Sequence, residues 1–164
     1  MIDLGVVEAP VTNKNLVVEE CRTDQLVVIV PPDHELANDA VVPLARIADF
    51  PFICREEGSG TLEVMLESMS SCGMNPNDLT IGMELGSLEA IKGAVEAGMG
   101  ISVISLATVQ KEIKLGTLVA IKTDPPIHRP FSFVHQKQKF RMRAMGELLS
   151  FARQYCKSHD ADEH

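Results

Sequence analysis

The sequence predicts an α/β fold with mixed, mostly parallel sheets and helices on both faces. Short β-branched runs alternate with stretches of helical periodicity, the pattern of repeated βα units. The run at 25–30 (QLVVIV) is almost wholly apolar, which is typical of a strand buried on both faces. With 164 residues, 45 % of them hydrophobic and 23 % charged, the chain is long and apolar enough for a packed core.

The elements follow in order along the chain. Strands are expected at 2–7, at 16–18 continuing through 25–30, and at 52–55, 79–85, 101–104, 118–121 and 131–135. Helices are expected from Pro43 through Ala48, after Thr61, after Ser87, at 106–113 and from Met142 to Ala152, with a frayed tail from Ser158.

The helix after Thr61 has the clearest helical signal. Its apolar residues recur at i, i+3, i+4 and i+7, and Gly73 with Asn75-Pro76 marks its end. These apolar residues are Leu62, Met65, Leu66 and Met69. They therefore predict one buried helix face, and no copper or haem site is needed to explain the methionines.

Charge and cysteine spacing exclude several classes of protein. A net charge of −8 repels a phosphate backbone, so direct nucleic-acid contact by this chain is not expected. No apolar run is long enough for a membrane span, and the N-terminus does not resemble a signal peptide. The spacings of the four cysteines fit no zinc motif. We expect reduced thiols in a cytoplasmic protein, with neither metal nor cofactor.

Six segments, in order, carry a family resemblance. They are 2–8 (IDLGVVE), 28–36 (VIVPPDHEL), 43–50, 53–61 (ICREEGSGT), 89–101 and the closing helix from Arg141. With this order and spacing, the chain resembles the effector-binding domain of LysR-type transcription regulators.

The resemblance implies a periplasmic-binding-protein-like domain of two lobes joined by two crossing strands, with a small effector between the lobes. It implies a first lobe from 1–23 and 135–164 and a second lobe from 24–134. The first strand reads as a central strand, yet no partner precedes it. We therefore expect a first lobe without its opening strand and helix, and no DNA-binding winged helix in this chain. Effector domains of this family pair, and truncation would expose apolar faces, so a dimer or higher oligomer is expected.

Two strand-to-helix loops are the candidate effector site. Helix N-termini favour small anions, serine and threonine add hydroxyl donors, and glycine lets the backbone approach a ligand closely. We expect Ser59, Gly60 and Thr61 to bind an inorganic oxyanion or small carboxylate, with Ser87 in the second loop. The alternative is that these hydroxyls are ordinary helix caps, and the two roles are compatible.

Two charged residues are further candidates for the effector site, one by its place in the family and one by its position beside a candidate loop. Glu8 follows the first strand, where the family often has a residue of the effector cleft, although a carboxylate would repel an anion. Arg55 could supply positive charge to the loop, or could instead pair with Glu56 or Glu57 at the surface.

Two other functions remain open. A periplasmic-type solute-binding protein would share the architecture, but would need a secretory signal and would tolerate four thiols poorly. A small-metabolite enzyme is disfavoured, because no phosphate loop, nucleophile elbow or zinc-protease motif occurs in the sequence. The sequence therefore favours a sensing domain without catalytic residues.

Overall fold

A computed structural model describes residues 4–8, 11, 13–56, 58–137 and 143–159. The strands are β1 (Leu4–Val7), β2 (Leu16–Val30), β3 (Val41–Pro43), β4 (Phe52–Arg55), β5 (Ile81–Leu85), β6 (Ser102–Ser105), β7 (Val119–Asp124) and β8 (Ile127–Gln136). The α-helices are α1 (Gly60–Ser71), α2 (Leu88–Glu96), α3 (Gln110–Leu115) and α4 (Arg143–His159), and short 3₁₀ turns include Leu44–Asp49 and Leu106–Thr108. No helix in this part of the chain combines the length and apolarity that a membrane crossing requires.

The chain divides into two compact units, one of residues 1–23 and 130–164 and the other of residues 24–129. The sequence placed the corresponding boundaries after residues 23 and 134. Two strands, β2 and β8, carry the chain from one unit to the other.

The core of unit 24–129 lies on both faces of its sheet. Along β2, Val28 and Val30 belong to one apolar cluster with Met65 and Met69 of α1. The alternate residues Val27 and Ile29 belong to a second cluster with Ile91 and Val95 of α2. Since successive side chains of a strand point to opposite faces, the apolar run at 25–30 is explained by a helix-covered cluster on each face.

The mixed α/β fold is confirmed, but the expected predominance of parallel pairing is wrong among the ladders whose register is defined. β4 and β5 are parallel, as are β3 and β7. β2 is antiparallel to both β6 and β7, and β1 is antiparallel to β8. A parallel pair needs a long crossover, which α1 supplies between β4 and β5. β2 has antiparallel partners because it enters the unit running in the opposite sense to β6 and β7.

Unit 1–23 with 130–164 contains β1, most of β8, the start of β2, and α4. β1 ends the strand order that the described residues form, and Val6 is 59 % exposed. The expectation of a central first strand stays a prediction, because the partner that it requires was not expected among these residues. Arg153 of α4 donates from Nε to Oε2 of Glu19 over 2.9 Å, joining this helix to β2.

The closing helix is longer than expected. It continues to His159, whereas the sequence suggested fraying from Ser158. The expected start at Met142 and the tail after residue 159 lie outside the described residues. Leu149 is buried, while Leu148, Phe151 and Tyr155 are more than half exposed.

Candidate functional site

The two candidate loops leave the same edge of one parallel strand pair. Arg55 at the end of β4 is in register with Leu85 at the end of β5. The loop to α1 follows Arg55, and Gly86 with Ser87 leads from β5 into α2. The carboxylate of Glu56 approaches to 3.7 Å of where a Cβ on Gly86 would stand. The expectation that both loops lie beyond the carboxyl ends of neighbouring strands agrees with this geometry.

Ser59 is the N-cap residue of α1, but its side chain makes no capping hydrogen bond to the described residues. Its backbone has the extended conformation typical of an N-cap, and its carbonyl accepts from Glu63 N over 3.0 Å. Gly58 has φ +87°, a conformation that glycine adopts most readily, and it turns the chain into the helix. The first N–H groups of a helix have no partner within it. The Ser59 hydroxyl therefore lies beside N–H groups that it does not cap.

Ser87 behaves differently at the start of α2. Its hydroxyl accepts a hydrogen bond from Ala90 N over 3.4 Å, so it caps this helix. Of the two serines, the capping alternative thus describes Ser87 and not Ser59. Ser87 is exposed, so capping leaves its hydroxyl proton available to solvent or a ligand.

Thr61 lies in the first turn of α1 and is in contact with a buried arginine. Arg129 Nη1 donates to Thr61 Oγ1 over 2.8 Å, and Arg129 Nη2 is 2.7 Å from Asp24 Oδ2. The second oxygen of Asp24 accepts from Ser105 Oγ over 2.9 Å. Asp24, Ser105 and Arg129 are all less than 10 % exposed.

Arg129, Asp24 and Ser105 were not among the residues singled out in the sequence. A signal was nevertheless present in β8, where Ile127 and Arg129 are two residues apart and therefore share a face. Both are buried. A charged residue at an inward position of a strand requires a partner, but the partner comes from β2, 105 positions earlier, and only the fold brings the two together.

Arg55 pairs with its neighbour. Its Nε donates to Glu56 Oε2 over 2.9 Å, and its Nη2 donates to Glu56 Oε1 over 2.5 Å. The hydrogen bonds from Arg55 lower the pKa of the Glu56 carboxyl to about 2, so this carboxylate stays charged. The geometry therefore favours the pairing alternative for Arg55, since most of its charge is compensated by Glu56.

Glu8 is exposed and belongs to the other unit, directly after β1. Ser59, Gly60, Thr61 and Ser87 all belong to unit 24–129. Within the part of the chain that the structure describes, no cluster of His, Cys, Asp and Glu has the arrangement of a metal site. Cys54, Cys72 and Cys156 are present as thiols.

A two-unit α/β chain with hydroxyl-bearing helix starts at one strand edge is typical of a ligand-binding domain. Residues 1–157 match the model of the LysR substrate binding domain, and the chain belongs to this family. It is 35 % identical over 162 residues to the RuBisCO operon transcriptional regulator of Allochromatium vinosum. The aligned region covers 95 % of this chain and 53 % of the relative. The chain thus spans about half the length of the curated relatives it matches.

Solved regulatory domains show the same fold. The regulatory domain of Synechocystis PCC6803 CcmR, determined in complex with 2-PG, matches with a TM-score of 0.82 and 31 % identity, over 94 % of this chain and 74 % of that one. The effector-binding domain of QuiR in complex with shikimate matches with a TM-score of 0.80 at 21 % identity, over 96 % and 73 % of the two chains. The resemblance inferred from the sequence motifs is therefore confirmed, and the chain is the effector-binding domain of a LysR-type regulator.

Proposed function

We propose that this domain senses a small anionic effector, an inorganic oxyanion or a small carboxylate, at the edge where β4 and β5 end. The observation that carries the proposal is the arrangement of Ser59 and Thr61 at the start of α1. One hydroxyl stands at the N-cap without capping, and the other is held by the buried Arg129. Gly60 between them gives a ligand close access to the backbone.

The electrostatics of this edge suit a small anion. The N-terminus of a helix carries a partial positive charge and unpaired N–H donors. Arg129 is paired with Asp24, and Arg55 is paired with Glu56, so most of the arginine charge near the loop is compensated. Recognition would then come mainly from N–H and O–H dipoles, with Ser87 contributing a further hydroxyl.

The ligands of related domains support a small-molecule effector. The CcmR domain was determined with 2-PG and the QuiR domain with shikimate, which is a carboxylic acid. In the full-length regulator, we propose that effector binding changes the state of a DNA-bound oligomer in the cytoplasm. DNA would be bound by another part of the protein, since this chain carries a net charge of −8.

Thermal melts test the effector site. The panel contains 2-PG, shikimate, sulfate, sulfite, thiosulfate and O-acetylserine, added to the parent, to a Ser59→Ala/Thr61→Val double variant and to Ser71→Ala. Ser71 is a matched control, because its hydroxyl donates to Glu67 O at the far end of α1. A ligand at about 100 times its Kd should stabilise the parent by about 2.7 kcal/mol.

We expect one class of anion to raise the melting temperature of the parent and of Ser71→Ala, and to have little effect on the double variant. An equal shift in all three proteins would place the ligand elsewhere. If no member of the panel shifts the parent, the proposal for these ligand classes fails.

We further propose that the domain associates with a second copy of itself. Leu148, Phe151 and Tyr155 on α4 are 54 %, 67 % and 55 % exposed, and their i, i+3, i+7 spacing places them on one helix face. The rings of Phe151 and Tyr155 stack with centroids 6.4 Å apart. Light scattering should give a mass above the 17.9 kDa of one chain, and Phe151→Ser should lower it. A monomer mass for the parent at high concentration would contradict this proposal.

A further inference from the structure

A buried polar cluster lies beside the proposed effector loop. Asp24, Ser105 and Arg129 are 8 %, 6 % and 6 % exposed. One oxygen of the Asp24 carboxylate accepts a hydrogen bond from Ser105 Oγ, and the other accepts one from Arg129 Nη2. Arg129 then reaches Thr61 Oγ1 with Nη1. One guanidinium therefore joins a buried carboxylate to a partly exposed hydroxyl of the effector loop.

The positions of the two charged residues in the chain are informative. Asp24 is the first residue of unit 24–129 and lies in β2, while Arg129 is its last residue and lies in β8. These are the two strands by which the chain enters and leaves the unit. The ion pair thus joins the entering strand to the leaving strand, and Thr61 adds the start of α1 to the same network.

The hydrogen bond from Arg129 also fixes what Thr61 can do. A threonine hydroxyl has one proton to donate and two lone pairs that accept. Arg129 has no acceptor atom, so its N–H occupies a lone pair of Thr61 Oγ1 and repels the hydroxyl proton. The proton must then point away from Arg129. Thr61 therefore has its proton available for an acceptor such as an anionic oxygen, and it keeps one further lone pair.

We propose that Arg129 is a positioning residue that couples the effector loop to the two strands joining the units. It orients the Thr61 hydroxyl toward an acceptor on the effector, and it transmits a change at Thr61 to β2 and β8 through its pairing with Asp24. The ligand part of this inference rests on the proposed effector site, whereas the coupling of Thr61 to the strands does not require a bound ligand.

The coupling is tested first without ligand, by hydrogen exchange with mass spectrometry on peptides covering 22–26 and 127–131. Thr61→Val removes the acceptor for Arg129 at almost constant volume, and Thr61→Ser keeps it. A hydrogen bond to a charged group is worth about a tenfold change in a local opening equilibrium. We expect about tenfold faster exchange in both peptides for Thr61→Val, and parental exchange for Thr61→Ser.

Ser102→Ala is the matched control, because it removes a buried hydroxyl that donates to Ile53 O over 2.7 Å within the same unit. In Ser102→Ala, hydrogen exchange in the two peptides should be no faster, relative to the rest of unit 24–129, than it is in the parent. Parental exchange of both peptides in Thr61→Val, or the same acceleration in Ser102→Ala, would overturn the coupling.

The orienting role is tested by a double-mutant cycle in 2-PG affinity. Arg129→Lys should weaken 2-PG binding about tenfold in the parent and should have no further effect in a Thr61→Val background, since Arg129 acts through Thr61. Equal weakening of 2-PG binding in both backgrounds would indicate that Arg129 has a merely structural role, and would overturn the orienting role. If 2-PG does not bind the parent, the same cycle is run with shikimate and sulfate. If none of the three ligands binds the parent, both the proposed site and the orienting role are overturned. The coupling of Thr61 to β2 and β8 is then decided by the hydrogen-exchange experiment alone.

Discussion

Arg129 and Asp24 form a buried ion pair with Nη2 and Oδ2 2.7 Å apart, and their side chains are 7 % and 9 % exposed. Since both charges are removed from water, each depends on the other for compensation. This mutual dependence is the basis of the first prediction.

Arg129→Met should lower the free energy of unfolding by about 3–5 kcal/mol, because it leaves the Asp24 carboxylate buried without its cation. The double variant Asp24→Asn/Arg129→Met should lose clearly less than the sum of the two single variants, since neither charge then remains. Urea denaturation of all four proteins measures this. Additive losses would mean that the two side chains are energetically independent.

The two serines at helix starts should differ in their contribution to stability. Ser87→Ala should cost about 1 kcal/mol, because it removes the cap on Ala90 N. Ser59→Ala should change stability by less than about 0.5 kcal/mol, because no capping bond from its side chain to the described residues is lost. Denaturant unfolding compares them directly, and a larger loss at Ser59 would show that its hydroxyl does cap α1.

The ion pair between α2 and α3 should make the free energy of unfolding depend on pH. Lys92 Nζ lies 2.9 Å from Glu112 Oε1, and the hydrogen bond from Lys92 lowers the pKa of the Glu112 carboxyl below its usual 4.5. Because this pKa is depressed in the folded state, the stabilisation is present above the unfolded pKa and is lost as the pH falls through the folded pKa. The stability gap between the parent and Glu112→Gln should therefore be largest near about pH 7 and should narrow as the pH falls below 4.5. A gap that stays constant across this range would contradict the assignment.

Glycine at position 100 should be required for close packing against the 51–53 segment. A Cβ there would overlap the carbonyl oxygen of Pro51, and the residue has φ +158°. Gly100→Ala should cost at least about 2 kcal/mol, as expected for overpacking against rigid backbone. Gly93→Ala is the control, because a Cβ at this position inside α2 meets no atom within 4 Å, so it should stabilise the helix by up to about 1 kcal/mol. Equal effects of the two substitutions would refute the packing argument.

The sequence was sufficient to predict most elements because their signals are local. The apolar run of β2 and the apolar face of α1 each depend on residues a few positions apart, and both are confirmed. Pairing direction was predicted less well. A strand's composition reports how deeply it is buried and not which way its neighbour runs, so the antiparallel partners of β2 were missed.

The candidate site was accessible to sequence reasoning only in part. The loops at Ser59–Thr61 and Ser87 were found because helix starts have a recognisable composition. Whether each hydroxyl caps its helix depends on side-chain orientation, which composition does not specify. The different roles of Ser59 and Ser87 therefore emerged only from the structure.

The sequence by itself determined the family, the α/β class and the two helix starts that form the candidate site, because motif order and hydrophobic period are properties of neighbouring residues. Only the tertiary structure decided that Arg129 meets Asp24 and Thr61. These contacts join residues 105 and 68 positions apart in sequence. No local pattern specifies such a contact, since it forms only when β2, β8 and α1 are packed into one unit and a buried charge must find its partner there.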